Sequence, residues 1–146
     1  MPMNTSVVVS VISAAATVIA VAVSFYLTKK KEREADWRKY KYEQYKEFLI
    51  SMSGIVGTDS TPDGKRSSAR ACNTLHLIGS RGVLSALHKF LDAIGDPSLS
   101  RAIHDALWSK LIWEIRQDLG TPGTSAESEF SARLWCPGIN GTVQKE

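Results

Sequence analysis

The stretch SVVVSVISAAATVIAVAVSFYL, residues 6–27, decides how this chain is built, because its 22 residues include no charged side chain. As an α-helix it would be about 33 Å long, which is enough to cross the hydrocarbon core of a bilayer. A cleaved signal peptide would need a basic segment before the apolar stretch and a small-residue cleavage site after it. The sequence Phe25-Tyr26-Leu27-Thr28-Lys29 offers no such site. We therefore predict a transmembrane helix over residues 1–28.

Basic residues follow this stretch directly. Residues 28–50 hold eight basic and five acidic side chains, whereas the rest of the chain has ten of each. By the positive-inside rule, this excess predicts that the N-terminus lies outside and the C-terminus in the cytoplasm, with the basic segment against anionic lipid headgroups. A nucleic-acid-binding protein would carry its basic surface on the folded domain. We therefore expect membrane lipid, and no nucleic acid, as a partner.

The serines and the threonine of residues 6–27 share one face. They are spaced four, three, four and seven residues apart in a heptad pattern, with alanine filling the gap: Ser6, Ser10, Ser13, Thr17, Ala20 and Ser24. Two interpretations stay open. These small residues could allow close helix packing, or several copies could place them around a lumen as pore-lining residues. Lys31, Glu34 and Arg38 continue the same phase and would then ring the cytoplasmic mouth. Both interpretations predict a homo-oligomer.

The span should continue into the cytoplasm as a charged stalk and amphipathic helix over residues 29–56, because no proline or glycine occurs between Met3 and Ser53. An apolar face returns along this helix, and we interpret it as the surface that covers the cytoplasmic domain. Its members are Tyr42, Tyr45, Phe48, Leu49, Met52, Ile55 and Val56. Residues 58–65 have the composition of a loop.

Three further helices are predicted from their 3.6-residue periodicity, and each ends at a glycine. They run from Ser67 or Ser68 to Ile78, from Gly82 to Ile94, and from Leu99 to Leu119. Both Ile94 and Ile103 are expected to face inward. No stretch alternates as a strand would, so the predicted class is all-α, with a small cytoplasmic helical bundle over residues 57–120.

The last segment, residues 121–146, is predicted to be a mostly irregular tail. It is polar apart from a small cluster formed by Phe130, Leu134 and Trp135. This cluster could dock onto a partner protein or onto its own domain, and the sequence leaves both open.

Patterns for catalysis or metal binding are not found in the sequence. The three histidines, His76, His88 and His104, have no histidine three or four residues away, as a metal pair on one helix would require. Cys72 and Cys136 lack the spacing of a redox or zinc motif and fit reduced thiols. We therefore expect no enzyme activity, no catalytic residues, no cofactor and no metal.

The residues do suggest one kind of binding site, namely a site for a small anionic ligand. Arg70, Asn73, His76 and Arg81 lie near one another along the second predicted helix and its exit. They could face a phosphate, as in a nucleotide signal. The alternative is a solvated helix face.

Five segments of the predicted cytoplasmic part stand out, namely Trp37-Arg38, Asn73-x-Leu75-x-Leu77, Val83-x-x-Ala86-Leu87-x-x-Phe90, His104-Asp105-x-Leu107 and Ile115-Arg116-x-Asp118-Leu119-Gly120. With these segments the chain resembles a group of small bacterial proteins that have one N-terminal span and a cytoplasmic helical domain. The resemblance implies a bacterial inner-membrane protein, carried in mobile or antiviral islands, and it brings no activity with it.

Together these features predict a single-pass homo-oligomer that forms a pore or a membrane-perturbing effector, as in bacterial antiviral defence. Its cytoplasmic domain would gate the assembly in response to a nucleotide or a protein. The alternative is a passive membrane anchor or adaptor that recruits a cytoplasmic partner protein. The sequence leaves the number of chains open.

Overall fold

The structure is a computed structural model that describes residues 4–53, 55, 61–121 and 126–134. Within these ranges the chain forms four α-helices and one 3₁₀ turn, and it has no strand. The helices are α1 (Thr5–Ser53), α2 (Pro62–Ile78), α3 (Arg81–Ile94) and α4 (Arg101–Asp118), and the 3₁₀ turn covers Glu127–Glu129. The predicted all-α class, with a long N-terminal helix followed by a smaller helical region, is confirmed.

The chain divides into two compact units, Met1–Lys39 and Tyr40–Glu146. In the first unit, α1 is long and apolar enough to cross a membrane, and it is the one helix of the described ranges that meets this test. Its large apolar side chains are exposed, for example Val18 at 68% and Phe25 at 65%. Exposed apolar surface of this extent needs lipid or another protein to cover it.

The core of the second unit takes an apolar stripe from each of the four helices. From α1 it takes Tyr45, Phe48 and Met52, which are at most 1% exposed. The other buried members are Cys72, Leu75 and Ile78 of α2, Val83, Ala86, Leu87 and Phe90 of α3, and Trp108, Leu111 and Ile115 of α4. The interpretation of the apolar face of α1 as cover for the helical domain is therefore confirmed for these three residues, whereas Tyr42 and Leu49 are exposed.

Three aromatic rings meet at the centre of this core. The Trp108 ring centroid lies 6.3 Å from that of Phe48 and 5.1 Å from that of Phe90, both in tilted arrangements. Such pairs contribute about 0.5–1.5 kcal/mol beyond the area they bury. They join α1, α3 and α4.

Helix α2 begins earlier than its periodicity predicts. Thr61 has an extended backbone, and its hydroxyl accepts a hydrogen bond from the Gly64 N–H at 3.0 Å. Pro62 occupies the first turn, where its fixed φ suits the helix and its missing N–H costs nothing. The loop prediction is therefore wrong for residues 62–65, because proline and threonine here start a helix instead of making a turn.

Helix α4 ends as predicted, at a glycine. Gly120 has a φ of +63°, which suits a residue without a Cβ. The N–H of Thr121 donates to the Arg116 carbonyl at 3.0 Å, and the N–H of Gly120 donates to the Gln117 carbonyl at 2.9 Å. These two bonds form a Schellman motif, which satisfies carbonyls that the helix would otherwise leave open.

Two residues that were expected to face inward are exposed. Ile94 and Ile103 each expose 43% of their surface. Ile94 is the last residue of α3, and Ile103 lies in the first turn of α4. The helical period predicts on which face of a helix a residue lies. It does not predict whether a neighbouring helix covers that face near the end of the helix, where both of these residues lie.

Candidate functional site

The polar stripe of α1 is fully accessible. All six of its members, Ser6 to Ser24, are exposed. At 3.6 residues per turn they fall within an arc of about 80° on the helix surface. The stripe therefore forms one narrow polar face on the largely apolar part of α1, residues 6–27.

Two hydroxyls of the stripe hydrogen-bond to the backbone of their own helix. Ser10 donates its hydroxyl proton to the Ser6 carbonyl at 2.8 Å, and Thr17 donates to the Ser13 carbonyl at 2.9 Å. Just beyond the stripe, Thr28 donates to the Ser24 carbonyl at 2.9 Å. With their protons engaged in this way, Ser10 and Thr17 present mainly oxygen lone pairs outward.

The proposed mouth residues lie on the exposed, charged part of α1. Lys31, Glu34 and Arg38 are all exposed. Glu34 lies 3.9 Å from the ammonium of Lys30, one turn before it. A surface pair of this kind contributes at most about 1 kcal/mol, so these charges stay largely hydrated.

A buried charge cluster fixes the start of the domain on α1. The Lys41 ammonium donates to both carboxylate oxygens of Asp118, at 2.9 and 2.8 Å, and the Tyr45 hydroxyl donates to the same carboxylate at 2.5 Å. The side chains of Lys41 and Asp118 are only 13% and 9% exposed. Burial, and then the bond to Asp118, raises the pKa of Tyr45 well above its usual value.

Sequence reasoning missed this cluster, although one signal for it was present. Lys41 lies one turn before Tyr45, on the face of α1 that also carries Phe48. A lysine on a buried apolar face requires a buried acid, because an unpaired charge there would be very costly. The sequence did not show which acid it was, since 77 residues separate Lys41 from Asp118.

Two of the three histidines meet across α2 and α3. The Nε2 atoms of His76 and His88 lie 2.9 Å apart, and their ring centroids are 5.2 Å apart. The Nδ1 atom of His76 is 3.0 Å from the Cys72 carbonyl. The ring nitrogens of the third, His104, lie instead within hydrogen-bond distance of the carbonyls of Ser100 and Ala93, at 3.1 and 2.8 Å.

The four candidates for an anionic ligand are all exposed, three on α2 and one at the start of α3. One of them, His76, uses both ring nitrogens in the bonds to His88 and Cys72. Asn73 lines a groove together with Cys72 and Leu91. The phosphate role of Arg70, Asn73, His76 and Arg81 stays a prediction.

The described part of the tail, residues 126–134, docks onto its own domain, and we call it the strap. Ala132 and Leu134 pack against the core. The Ser109 hydroxyl of α4 accepts a hydrogen bond from the Ala132 N–H at 2.9 Å. Phe130 lies under the Arg116 guanidinium, 5.6 Å from the ring centroid. Trp135, the third member of the predicted cluster, lies outside the described residues.

A cavity of about 430 Å³ lies between α4 and the strap. At its edge, Lys110 pairs with Glu114 at 2.9 Å and with Glu127 at 2.5 Å. Burial acts to lower the pKa of Lys110, but its hydrogen bonds to Glu127 and Glu114 outweigh burial, and its pKa is raised. The pair with Glu127 ties the strap to α4 by charge, whereas the pair with Glu114 lies within α4.

A second, more apolar groove of about 480 Å³ lies between α2 and α3. Cys72 lines it as a free, buried thiol. Burial raises the pKa of this thiol, and a side-chain hydrogen bond with Ser68 partly opposes the shift. A raised pKa disfavours the reactive thiolate. Cys136 lies outside the described residues.

No family model, curated protein or solved structure matches this chain. The described residues form a helical protein in which one helix could span a membrane, with a polar stripe on that helix and a small helical domain after it.

Proposed function

We propose that this protein is a single-pass protein of the bacterial inner membrane whose spans assemble, as a homo-oligomer, around a narrow polar pathway. Its N-terminus lies outside and its helical domain lies in the cytoplasm. The domain holds the assembly together and gates it in response to a nucleotide or a protein. Conditional depolarisation of the membrane by such an assembly would suit an effector in antiviral defence.

One observation carries the proposal, namely the concentration of every serine and threonine hydroxyl of residues 6–27 on a single exposed arc of α1. A lone helix in lipid would leave these groups in hydrocarbon. A ring of helices turns the arc inward and leaves large apolar side chains such as Val11, Val18 and Phe25 for the acyl chains. Polar residues within a span generally face a partner or a water-filled cavity.

The backbone hydrogen bonds favour water over direct pairing of two such faces. Ser10 and Thr17 have their protons engaged by carbonyls of their own helix. To hydrogen-bond to each other at these positions, two identical faces would first have to break one of these backbone bonds. Water in a lumen supplies donors to these oxygens, and outward lone pairs also suit a hydrated cation. Interhelical bonds in membranes otherwise contribute only about 0.6–2 kcal/mol each.

The charged residues after the span would stand at the cytoplasmic end of this pathway. Lys31, Glu34 and Arg38 are exposed and are not tied into the core of the helical domain. In a ring of copies they would repeat around the mouth and bias which ions enter. A phosphate-bearing signal would form its strongest hydrogen bonds with the exposed guanidinium groups of Arg70 and Arg81.

The test combines a count of chains with ion flux. The full chain in lipid vesicles should form an assembly of at least four copies and pass monovalent ions. Changing Ser10, Ser13 and Thr17 together to leucine should abolish flux without preventing insertion, because the span becomes more apolar. The matched control changes Val8, Val11 and Val18 to leucine on the opposite face and should conduct as the wild type does.

Two results would refute the pathway. One is a dimer as the largest assembly, and the other is unchanged flux in the stripe variant. Either result would mean that the stripe serves only for close helix packing, and it would favour the alternative function of a passive anchor or adaptor. That alternative would need a docking surface other than the strap, whose Ala132 and Leu134 pack against its own domain.

A further inference from the structure

We infer that the outer face of α2 docks onto the surface of an anionic bilayer, through one leucine and the arginines around it. Leu77 exposes 83% of its surface, which is more than the 68% that Val18 of the apolar stretch exposes. A single exposed apolar residue is ordinary on a protein surface, so its surroundings decide what it does. This docking rests on the proposed membrane span but not on the proposed pathway.

The residues around Leu77 share one side of α2. They lie four, seven and eleven residues before it, and residues three or four apart are neighbours on a helix surface. One more arginine follows at the start of α3. All of these side chains are exposed, and we call them the basic face: Arg66, Arg70, Asn73, Leu77 and Arg81.

Two arginines of the basic face keep their charge available for a partner. Asp63, the acid in the first turn of α2, pairs with Arg66 at 3.3 Å. Within the described ranges, no ion pair engages Arg70 or Arg81. Guanidinium groups bind phosphate oxygens through two parallel hydrogen bonds, and each cationic side chain strengthens contact with an anionic membrane surface.

The basic face reaches the end of the helical domain where α1 enters it. The second compact unit begins at Tyr40, and Lys41 contacts Asp118 at the end of α4. One turn earlier on α4, the Glu114 carboxylate packs against Gly82 in the first turn of α3. The last turn of α2 leads directly into this turn of α3, so it lies at the same end of the domain.

A bilayer is the partner that fits both the charge and the leucine. Only residues 28–39 join the apolar stretch to the helical domain, so a bilayer that holds the span stays at high effective concentration. Headgroup phosphates would bind the guanidinium groups while Leu77 entered the boundary with the acyl chains, as apolar residues of interfacial helices do. A free phosphate compound would leave Leu77 in water.

The experiment uses the full chain in vesicles of phosphatidylcholine, alone or mixed with phosphatidylglycerol. An environment-sensitive fluorophore is attached through Asn73→Cys in a Cys136→Ser background, because Cys72 is buried and reacts slowly. We expect a blue shift in the mixed vesicles only, and its loss at about 1 M salt, where charges are screened beyond about 3 Å. The same fluorophore at Ser100→Cys, before α4, should not respond.

Two sets of substitutions test the parts of the basic face. Arg70→Gln combined with Arg81→Gln should weaken docking by about thirtyfold, and Leu77→Gln by at least about tenfold. The matched control combines Arg101→Gln with Arg133→Gln. It removes the same charge from exposed positions outside the basic face and should dock nearly as the wild type does.

Three results would overturn the inference. The first is no shift in the mixed vesicles, and the second is an equal shift in both kinds of vesicle, which would indicate contact between copies. The third is a shift that needs the arginines but not Leu77, which would leave a site for free anions only. Alkaline extraction measures insertion of the span and ion flux measures the pathway, so failure of either is distinguishable from failure of docking.

Discussion

Removing the carboxylate of Asp118 should destabilise the helical domain more than any surface charge change. The substitution Asp118→Leu takes away the partner that Lys41 contacts at 2.8 Å and that accepts the Tyr45 hydroxyl proton. The Lys41 side chain is only 13% exposed, so water replaces the lost carboxylate poorly. Breaking one partner of a buried ion pair costs about 3–5 kcal/mol.

This loss should be large in a thermal melt. For a domain of 60–100 residues, about 1 kcal/mol shifts the melting temperature by about 4–8 °C, so we expect a fall of at least about 12 °C. The full chain in detergent micelles is the sample. Tryptophan fluorescence is the assay, because Trp108 is buried in the core and reports its opening.

The matched control is Lys46→Met on the same helix. Lys46 and Glu43 form an exposed pair at 3.4 Å, with side chains 53% and 50% exposed. Its loss should lower the melting temperature by at most about 4 °C. Adding Lys41→Met to Asp118→Leu should then raise the melting temperature, since a buried pair replaced by apolar residues is often neutral or stabilising. If Asp118→Leu has the same melting temperature as the Lys46→Met control, the cluster is not a buried ion pair in solution.

Three further predictions concern the tyrosine, the strap and the topology. The folded domain keeps the Tyr45 proton at a pH where the unfolded chain loses it, near 10. Domain stability should therefore be fully present below about pH 10 and fall above it, and Tyr45→Phe should remove that part of the fall in alkaline melts. Ser109→Val removes the acceptor of the Ala132 N–H, and trypsin should then cut faster at Arg133 while the melting temperature changes little. Rates equal to the wild type would mean that the strap is held by its other contacts alone. In intact cells, a cysteine introduced at Asn4 should react with an impermeant reagent and one at Ser128 should not, and the reverse would refute the proposed orientation.

The sequence by itself determined the helices and the faces that follow from local pattern. The uninterrupted run from Thr5 to Ser53 predicts α1, and the heptad of apolar residues predicts the buried Tyr45, Phe48 and Met52. Gly120 predicts the end of α4, because helices often end at a position with positive φ, which glycine adopts without strain. Helical hydrogen bonds join residues four apart, so the information that specifies a helix lies within a few turns of sequence.

Only the tertiary structure decided which distant side chains meet. His76 with His88, and Ser109 with the strap, are pairs that no local spacing specifies. The partner of Lys41 was equally undetermined, although a buried lysine on an apolar face demanded one. Such contacts depend on how helices pack across the core, and side chains from any two helices can satisfy the same chemical need. The membrane helix could be predicted from its own residues because a bilayer imposes its length and polarity locally, whereas the domain's polar contacts arise only when α1 to α4 come together.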